Sequence, residues 1–332
     1  MTAACILGCS GPRLTPEERA FFAEVRPWGF ILFARNIENP DQVRALTAAL
    51  RETVGRADAP ILIDQEGGRV QRLGPPHWRR FPPGRAYGEL AGDDPLLRRE
   101  IARLGARLLA HDLASLGINV DCVPVLDVPD PQGHEIIGDR AYGETAEEVA
   151  VLGRAAAEGL IAGGVLPIVK HIPGHGRARA DSHLELPVVD AGLDELDARD
   201  FAPFKALSDM PMAMTAHVIY AAVDARRPAT TSKAVMRRVI RGRIGFDGLV
   251  MSDDLSMQAL SGGLGARAEA SFAAGCDVVL HCNGDMDEMQ AVAAASRPLA
   301  GKAARRAAAA LARLPRRAEP FDPVEGRARF DA

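Results

Sequence analysis

The sequence predicts an α/β fold, a (β/α)8 TIM-type barrel forming a single domain, on three observations. Short apolar runs recur eight times, at Ala3–Leu7, 29–33, 60–63, 118–122, 165–169, 212–214, 248–251 and 277–280. Longer segments of helical periodicity separate them, among them 41–53, 95–116, 146–162, 233–241 and 266–274. Polar and ionisable residues gather just after the apolar runs. Continuous apolar strands, rather than alternating ones, belong to parallel sheets covered on both faces. Eight such units suit a closed barrel. An open, doubly wound sheet is the competing architecture, but it usually carries a phosphate-binding glycine loop, and neither GxGxxG nor a Walker motif occurs.

The barrel is expected over residues 1–300. From 301 the composition changes: 302–314 reads as a basic, alanine-rich helix, and 315–332 as a polar, irregular tail packed on or trailing from the barrel. The opening Ile6-Leu7-Gly8-Cys9 loosely matches a lipoprotein processing site. No basic segment precedes it and the apolar stretch is too short, so a first buried strand is the reading adopted. Cys5, Cys9, Cys122, Cys276 and Cys282 are odd in number, scattered and without a CxxC pair. They predict buried free thiols in a cytoplasmic protein, with no disulfide framework and no zinc site. A net charge of −4 offers no basic face for nucleic acid. With no run of eighteen apolar residues, no membrane span is expected. No cofactor and no metal are predicted, and a monomer is expected.

Catalytic groups of such barrels lie at the C-terminal ends of the strands. Strand three runs into Asp64-Gln65-Glu66-Gly67-Gly68-Arg69, strand four into Asp121 and then Asp127, and strand five into Lys170-His171. Strand six leads to His217, strand seven to Ser252-Asp253-Asp254, and strand eight to His281 and Asn283. The densest cluster runs from Lys170 through Pro173-Gly174-His175-Gly176 to Asp181-Ser182-His183. It predicts an active-site loop in which Pro-Gly-His-Gly acts as a hinge.

Asp64, Asp121, Asp253 and Asp254 with Lys170, Arg72 and Arg140 make a mixture that suits sugar recognition, in which carboxylates accept from hydroxyls and cations donate to them. Glycoside cleavage also needs a nucleophile or base and a separate proton donor. Asp253 or Asp254 meets the first need. A histidine, with its ordinary pKa of about 6.5, meets the second.

At this point the residues resemble a known family. Lys170-His171-x-Pro173-Gly174-His175-Gly176, Asp181-Ser182-His183 and 252–257 (SDDLSM) are similar to the motifs of bacterial β-N-acetylhexosaminidases of glycoside hydrolase family 3, as are 64–72 (DQEGGRVQR) and 29–36 (GFILFARN). The likeness spans about residues 3 to 285, and is greatest to the single-domain cytoplasmic enzymes of peptidoglycan recycling. It implies Asp253 as nucleophile, His183 as acid/base and Asp181 as the partner that orients His183. It implies Asp64, Arg72, Arg140, Lys170 and His171 as the residues that hold N-acetylglucosamine. The implied reaction removes that sugar, with retention, from the non-reducing end of a GlcNAc-containing muropeptide during cell-wall recycling.

Two departures stand out. Ile172 replaces an aromatic, and Arg177-Ala178-Arg179 is more basic than the family pattern. The arginines lead to the expectation that they receive an anionic aglycone.

Competing readings are a phosphorylase using the same residues, a β-glucosidase of the same family and a substrate-assisted hexosaminidase. A non-catalytic sugar-binding barrel and a zinc hydrolase built on His171, His175, His183 and His217 are more distant ones. Blander roles are a helix N-cap for Asp254, a brace for His175 or His171, a structural place for Asp121, a plain turn for Gly67-Gly68 and a solvated helix face for His111 and Asp112.

Overall fold

The computed structural model describes residues 1–90, 92 and 94–332. Eight parallel strands close into one barrel: β1 Ala3–Leu7, β2 Pro27–Leu32, β3 Ile61–Ile63, β4 Val120–Asp121, β5 Leu166–Ile172, β6 Met212–Thr215, β7 Leu249–Asp254 and β8 Val278–His281. Neighbours in space are neighbours in sequence, and Cys5 opposite Val279 closes the ring between β1 and β8. Each apolar run expected to be a strand supplies one. The strands are buried almost throughout, which is why they read as unbroken hydrophobic runs.

Two strands reach further than their apolar cores. β5 continues through Lys170-His171-Ile172, and β7 through Ser252-Asp253-Asp254. Lys170, His171 and Asp253 therefore stand on the barrel wall rather than in free loops. The β5–β6 register shifts between Lys170 and Ile172. Consecutive strand residues ordinarily face opposite ways, yet here both Lys170 and His171 line one cavity. Ile172 turns into the outer core beside Val169 and Phe201. β4 is short because Pro124 cannot donate to the ladder. Pairing resumes at Val125, opposite Lys170.

The C-terminal segment corrects the expectation of an irregular tail. Residues 323–331 form a helix, capped by Asp322, which packs on the outer helix Pro95–Ala114. Phe330 lies 6.1 Å, ring to ring, from both Phe81 and Tyr87. Arg327 pairs with Asp112 at 2.9 Å, and Phe321 leans on His111. His111 and Asp112 are thus covered by the chain's own end and do not form a solvated face. The five cysteines are buried and free. Among the described residues, no helix is long and apolar enough to cross a membrane.

Candidate active site

A cavity of about 400 Å³ opens at the C-terminal ends of the strands. Pockets of a few hundred Å³ are of ligand size. Ile31, Asp64, Lys170, His171, Met214, Asp253 and Leu280 come to it from the barrel wall, and Phe33, Arg69, Arg72, Arg140, Ser182, His183 and Met257 from the loops. Of the eight residues to which the resemblance assigns roles, seven line this cavity. The eighth, Asp181, stands directly behind His183.

One wall is an ion network built on β3 and β5. Lys170 Nζ lies 2.8 Å from Asp64 Oδ1 and 2.6 Å from Glu66 Oε1. Arg140 grips Glu66 through two bonds of 2.8 Å, and Arg72 approaches Asp64 at 3.3 Å. Burial alone would raise the carboxyl pKa values, but the cations outweigh it. Lys170 and Arg72 hold Asp64 well below the usual range, and Arg140 and Lys170 bring Glu66 down to about 2. Burial would discharge Lys170; Asp64 and Glu66 reverse that and keep it cationic. An ammonium has three hydrogens, and two oxygens of these carboxylates lie within reach of them. Glu66 was not among the residues singled out. Its signal was its place two residues after Asp64, but its partner Arg140 is 74 positions away.

The second wall holds His171. Its Nδ1 lies 2.6 Å from Asp127 Oδ2, and Asp127 Oδ1 also accepts the backbone N–H groups of His171 and His175. Asp127 is buried, which opposes its ionisation, but His171 and His175 hold its pKa below the usual value. An ionised carboxylate only accepts, so Nδ1 carries the proton and Nε2 is left for the cavity. Asp127 is thus an anchor beneath the site, a role the sequence did not distinguish from that of Asp121.

Asp253 Oδ1 accepts the Asp254 backbone N–H at 2.8 Å. Burial would push its pKa up, but the fields of His217 and His171 overcome this and keep it below the usual carboxylate range. Among the described residues it forms no ion pair, so an ionised oxygen remains open to the cavity. Asp254 is spent on structure: it accepts from Ser256 N at 3.1 Å, from Ser256 Oγ and from Cys282 N at 3.2 Å. It braces a loop and is not a helix N-cap, since the following helix begins at Leu264.

Across the mouth, His183 Nδ1 lies 2.7 Å from Asp181 Oδ1, which also accepts the His183 backbone N–H at 2.9 Å. The His183 side chain is 59% exposed and that of Asp181 18%. The pairing fixes the proton on Nδ1 and leaves Nε2 for exchange.

Three strand-end groups lie below the cavity instead of lining it. Asp121 is fully buried, accepts the Gln65 N–H at 2.9 Å, and is pushed by burial towards its neutral form. His217 is held between Thr230 Oγ1 at 2.7 Å and the Asp254 carbonyl at 3.0 Å. His281 is enclosed near Asp254 and Glu288. His171, His175 and His183 line the cavity, whereas His217 is committed beneath it. Among the described residues, no three His, Cys, Asp or Glu side chains are grouped to hold a metal ion.

The Pro-Gly-His-Gly segment, expected to act as a hinge, is held by several contacts in this conformation. Tyr220 donates to the Gly174 carbonyl at 2.5 Å, and the His175 N–H is held by Asp127. Gly176 packs so tightly that a Cβ there would stand 1.9 Å from the Val128 carbonyl oxygen. Gly67-Gly68 form a turn with φ of 93° and 56° between two short antiparallel strands. A Cβ on Gly67 would meet the Pro82 carbonyl oxygen at 2.2 Å.

Residues 12–314 match the pattern of the family described as glycosyl hydrolase family 3 N terminal domain. The chain belongs to glycoside hydrolase family 3. Family 3 relatives include a beta-hexosaminidase of Methylococcus capsulatus, 43% identical over 277 residues, or 82% of this chain and 80% of that protein. NagZ from Neisseria gonorrhoeae superposes with a TM-score of 0.85 at 34% identity, covering 100% of this chain and 94% of its own. It has also been solved in complex with N-trifluoroacetyl-D-glucosamine. A family 3 β-N-acetylglucosaminidase from Paenibacillus sp. str. FPU-7 gives a TM-score of 0.83 at 34% identity, covering 99% of this chain. This family 3 chain spans only 62% of the Paenibacillus protein.

The basic stretch of the loop departs from its expected use. Arg177 pairs with Asp200 at 2.7 Å, with Glu195 at 2.8 Å and with Asp130 at 3.5 Å, and Arg179 donates to Gln132. Neither lines the cavity. Asp200 is buried, so removing Arg177 strands a carboxylate. Arg177→Ala combined with Arg179→Ala should lower thermal stability and reduce kcat/KM equally on neutral and anionic glycosides. A loss confined to anionic glycosides would restore the aglycone role.

Proposed function

We propose that this protein is a retaining β-N-acetylhexosaminidase that removes β-linked N-acetylglucosamine from the non-reducing end of peptidoglycan fragments, acting as a cytoplasmic monomer in cell-wall recycling. The observation that carries this reading is one cavity containing the open carboxylate of Asp253 and the Asp181–His183 pair at its mouth. Asp253 attacks the anomeric carbon. His183 protonates the leaving oxygen and then deprotonates the incoming water, so two inversions restore the β configuration. Asp181 orients the ring and stabilises the imidazolium, as a carboxylate does in other Asp–His pairs. Lys170, Asp64 and Arg72 hold the sugar hydroxyls, with Arg140 and His171 completing the wall. The named activities of the relatives support the sugar. The motif likeness to peptidoglycan-recycling enzymes supports the aglycone.

The test is product analysis with an aryl β-N-acetylglucosaminide, an aryl β-glucoside and a GlcNAc-anhydromuramyl peptide, each with and without phosphate. The expected result is hydrolysis of both N-acetylglucosaminides at rates indifferent to phosphate. Cleavage of the glucoside alone, or formation of a sugar 1-phosphate, would overturn it.

A further inference from the structure

The Asp181–His183 pair lies in a segment without regular structure, and His183 is largely exposed. A side chain so placed is free to change rotamer unless its backbone is held. Yet Ser182, between the two, is only 3% exposed. Its Oγ lies 3.0 Å from His175 Nε2, and its carbonyl accepts the Ala259 N–H at 3.3 Å. His175 is buried too, and its N–H is held at 2.6 Å by Asp127. Asp127 belongs to the barrel-side segment that follows β4, where the Leu126 N–H bonds to the Lys170 carbonyl at 2.6 Å. An unbroken series of hydrogen bonds thus runs from the barrel wall through Asp127, His175 and Ser182 to the backbone between Asp181 and His183. The carbonyl of His183 is itself bonded to the Gln258 N–H on the loop that follows Asp253.

We propose that His175 and Ser182 are positioning residues for proton transfer, which fix the Asp181–His183 pair over Asp253 through the buried His175–Ser182 hydrogen bond. This rests on the acid/base reading of His183 given above. Ser182 is turned inward between Asp181 and the exposed His183, so its buried hydroxyl holds the backbone from which both groups are presented. Burial, and next His171, lower the His175 pKa to about 4, so its ring is neutral near neutrality and can share a hydrogen with a hydroxyl. Misplacing a catalytic group by about 1 Å can cost on the order of 100-fold in rate.

The experiment compares kcat/KM for two aryl β-N-acetylglucosaminides in S182A, H175A, S182T, H175Q and H183A. The 2,4-dinitrophenyl leaving group needs little protonation, whereas the phenyl leaving group needs it fully. If the positioning role holds, S182A and H175A lose about 100-fold on the phenyl glycoside, within the range of general acid catalysis. They lose less than about 5-fold on the dinitrophenyl one. S182T and H175Q, which keep a hydroxyl and an N–H donor, recover most of the loss. Should H175A fail to fold, S182A and S182T carry the comparison. Equal losses on both glycosides in S182A, with the leaving-group dependence preserved in H183A, overturn the positioning role alone. Absence of that dependence in H183A overturns the acid/base reading and the positioning role with it.

Discussion

Replacing Asp253 by asparagine should abolish turnover while leaving the fold intact. Asn keeps the shape and still accepts the Asp254 N–H at its side-chain oxygen. Among the described residues no ion pair is broken by the change, so the thermal midpoint should move little. On the proposed reading of Asp253 as nucleophile, the uncharged amide is a far weaker one, and a loss on the order of 10⁴-fold or more in kcat is expected. Steady-state kinetics and a thermal melt on the same preparation check it. Asp254→Asn should behave differently: by loosening the grip on Ser256 and Cys282 it should cost stability first and activity second.

The second large effect is at Lys170. Its side chain is 2% exposed and lies between Asp64 and Glu66. Lys170→Met preserves the length and removes the charge. Removing one partner from a buried ionic network typically costs about 3–5 kcal/mol, because it strands the charges left behind. Arg72 and Arg140 still pair with Asp64 and Glu66, which places the expectation towards the lower end. The pH dependence gives the sign. In the wild type both carboxyl pKa values are depressed by folding. Their contribution is present above the unfolded values of about 4 and is lost as pH falls through the folded ones. In Lys170→Met the carboxyls lose their nearest cation and bind protons more readily when folded. Denaturant unfolding from pH 7 to pH 3 should therefore show the gap between wild type and variant narrowing. A constant gap would mean that Lys170 acts through packing alone.

The barrel was legible in the sequence because its signal is local. Each strand is a short, unbroken apolar run, and the residue types after the runs mark the catalytic end. The strand boundaries were less legible, because polar residues such as Lys170 and Asp253 still sit on the strands when they line a polar cavity. The pocket residues came from motifs, whereas what holds them came only from the fold. Glu66 with Arg140, Asp127 with His171, and Arg177 with Asp200 are separated by 74, 44 and 23 positions. No local pattern couples them. That is why Arg177 read as a ligand for an anion while its charge is taken up by three carboxylates. His217 and Asp121 read as pocket groups for the complementary reason. The rule that strand ends carry catalysis names a position along the strand, but it does not say how deep a side chain lies. The terminal helix is not legible locally because its anchors are distant in sequence: Phe330 packs on Phe81 and Tyr87, and Arg327 pairs with Asp112.

The most direct test of the central claim is mass mapping of the enzyme after incubation with a 5-fluoro-N-acetylglucosaminyl fluoride, which slows breakdown of a covalent intermediate. A glycosyl adduct on the peptide containing Asp253, absent from the Asp253→Asn variant, is the predicted result. A fully turned-over enzyme with no adduct and an oxazoline product, or an adduct on another residue, would contradict the assignment.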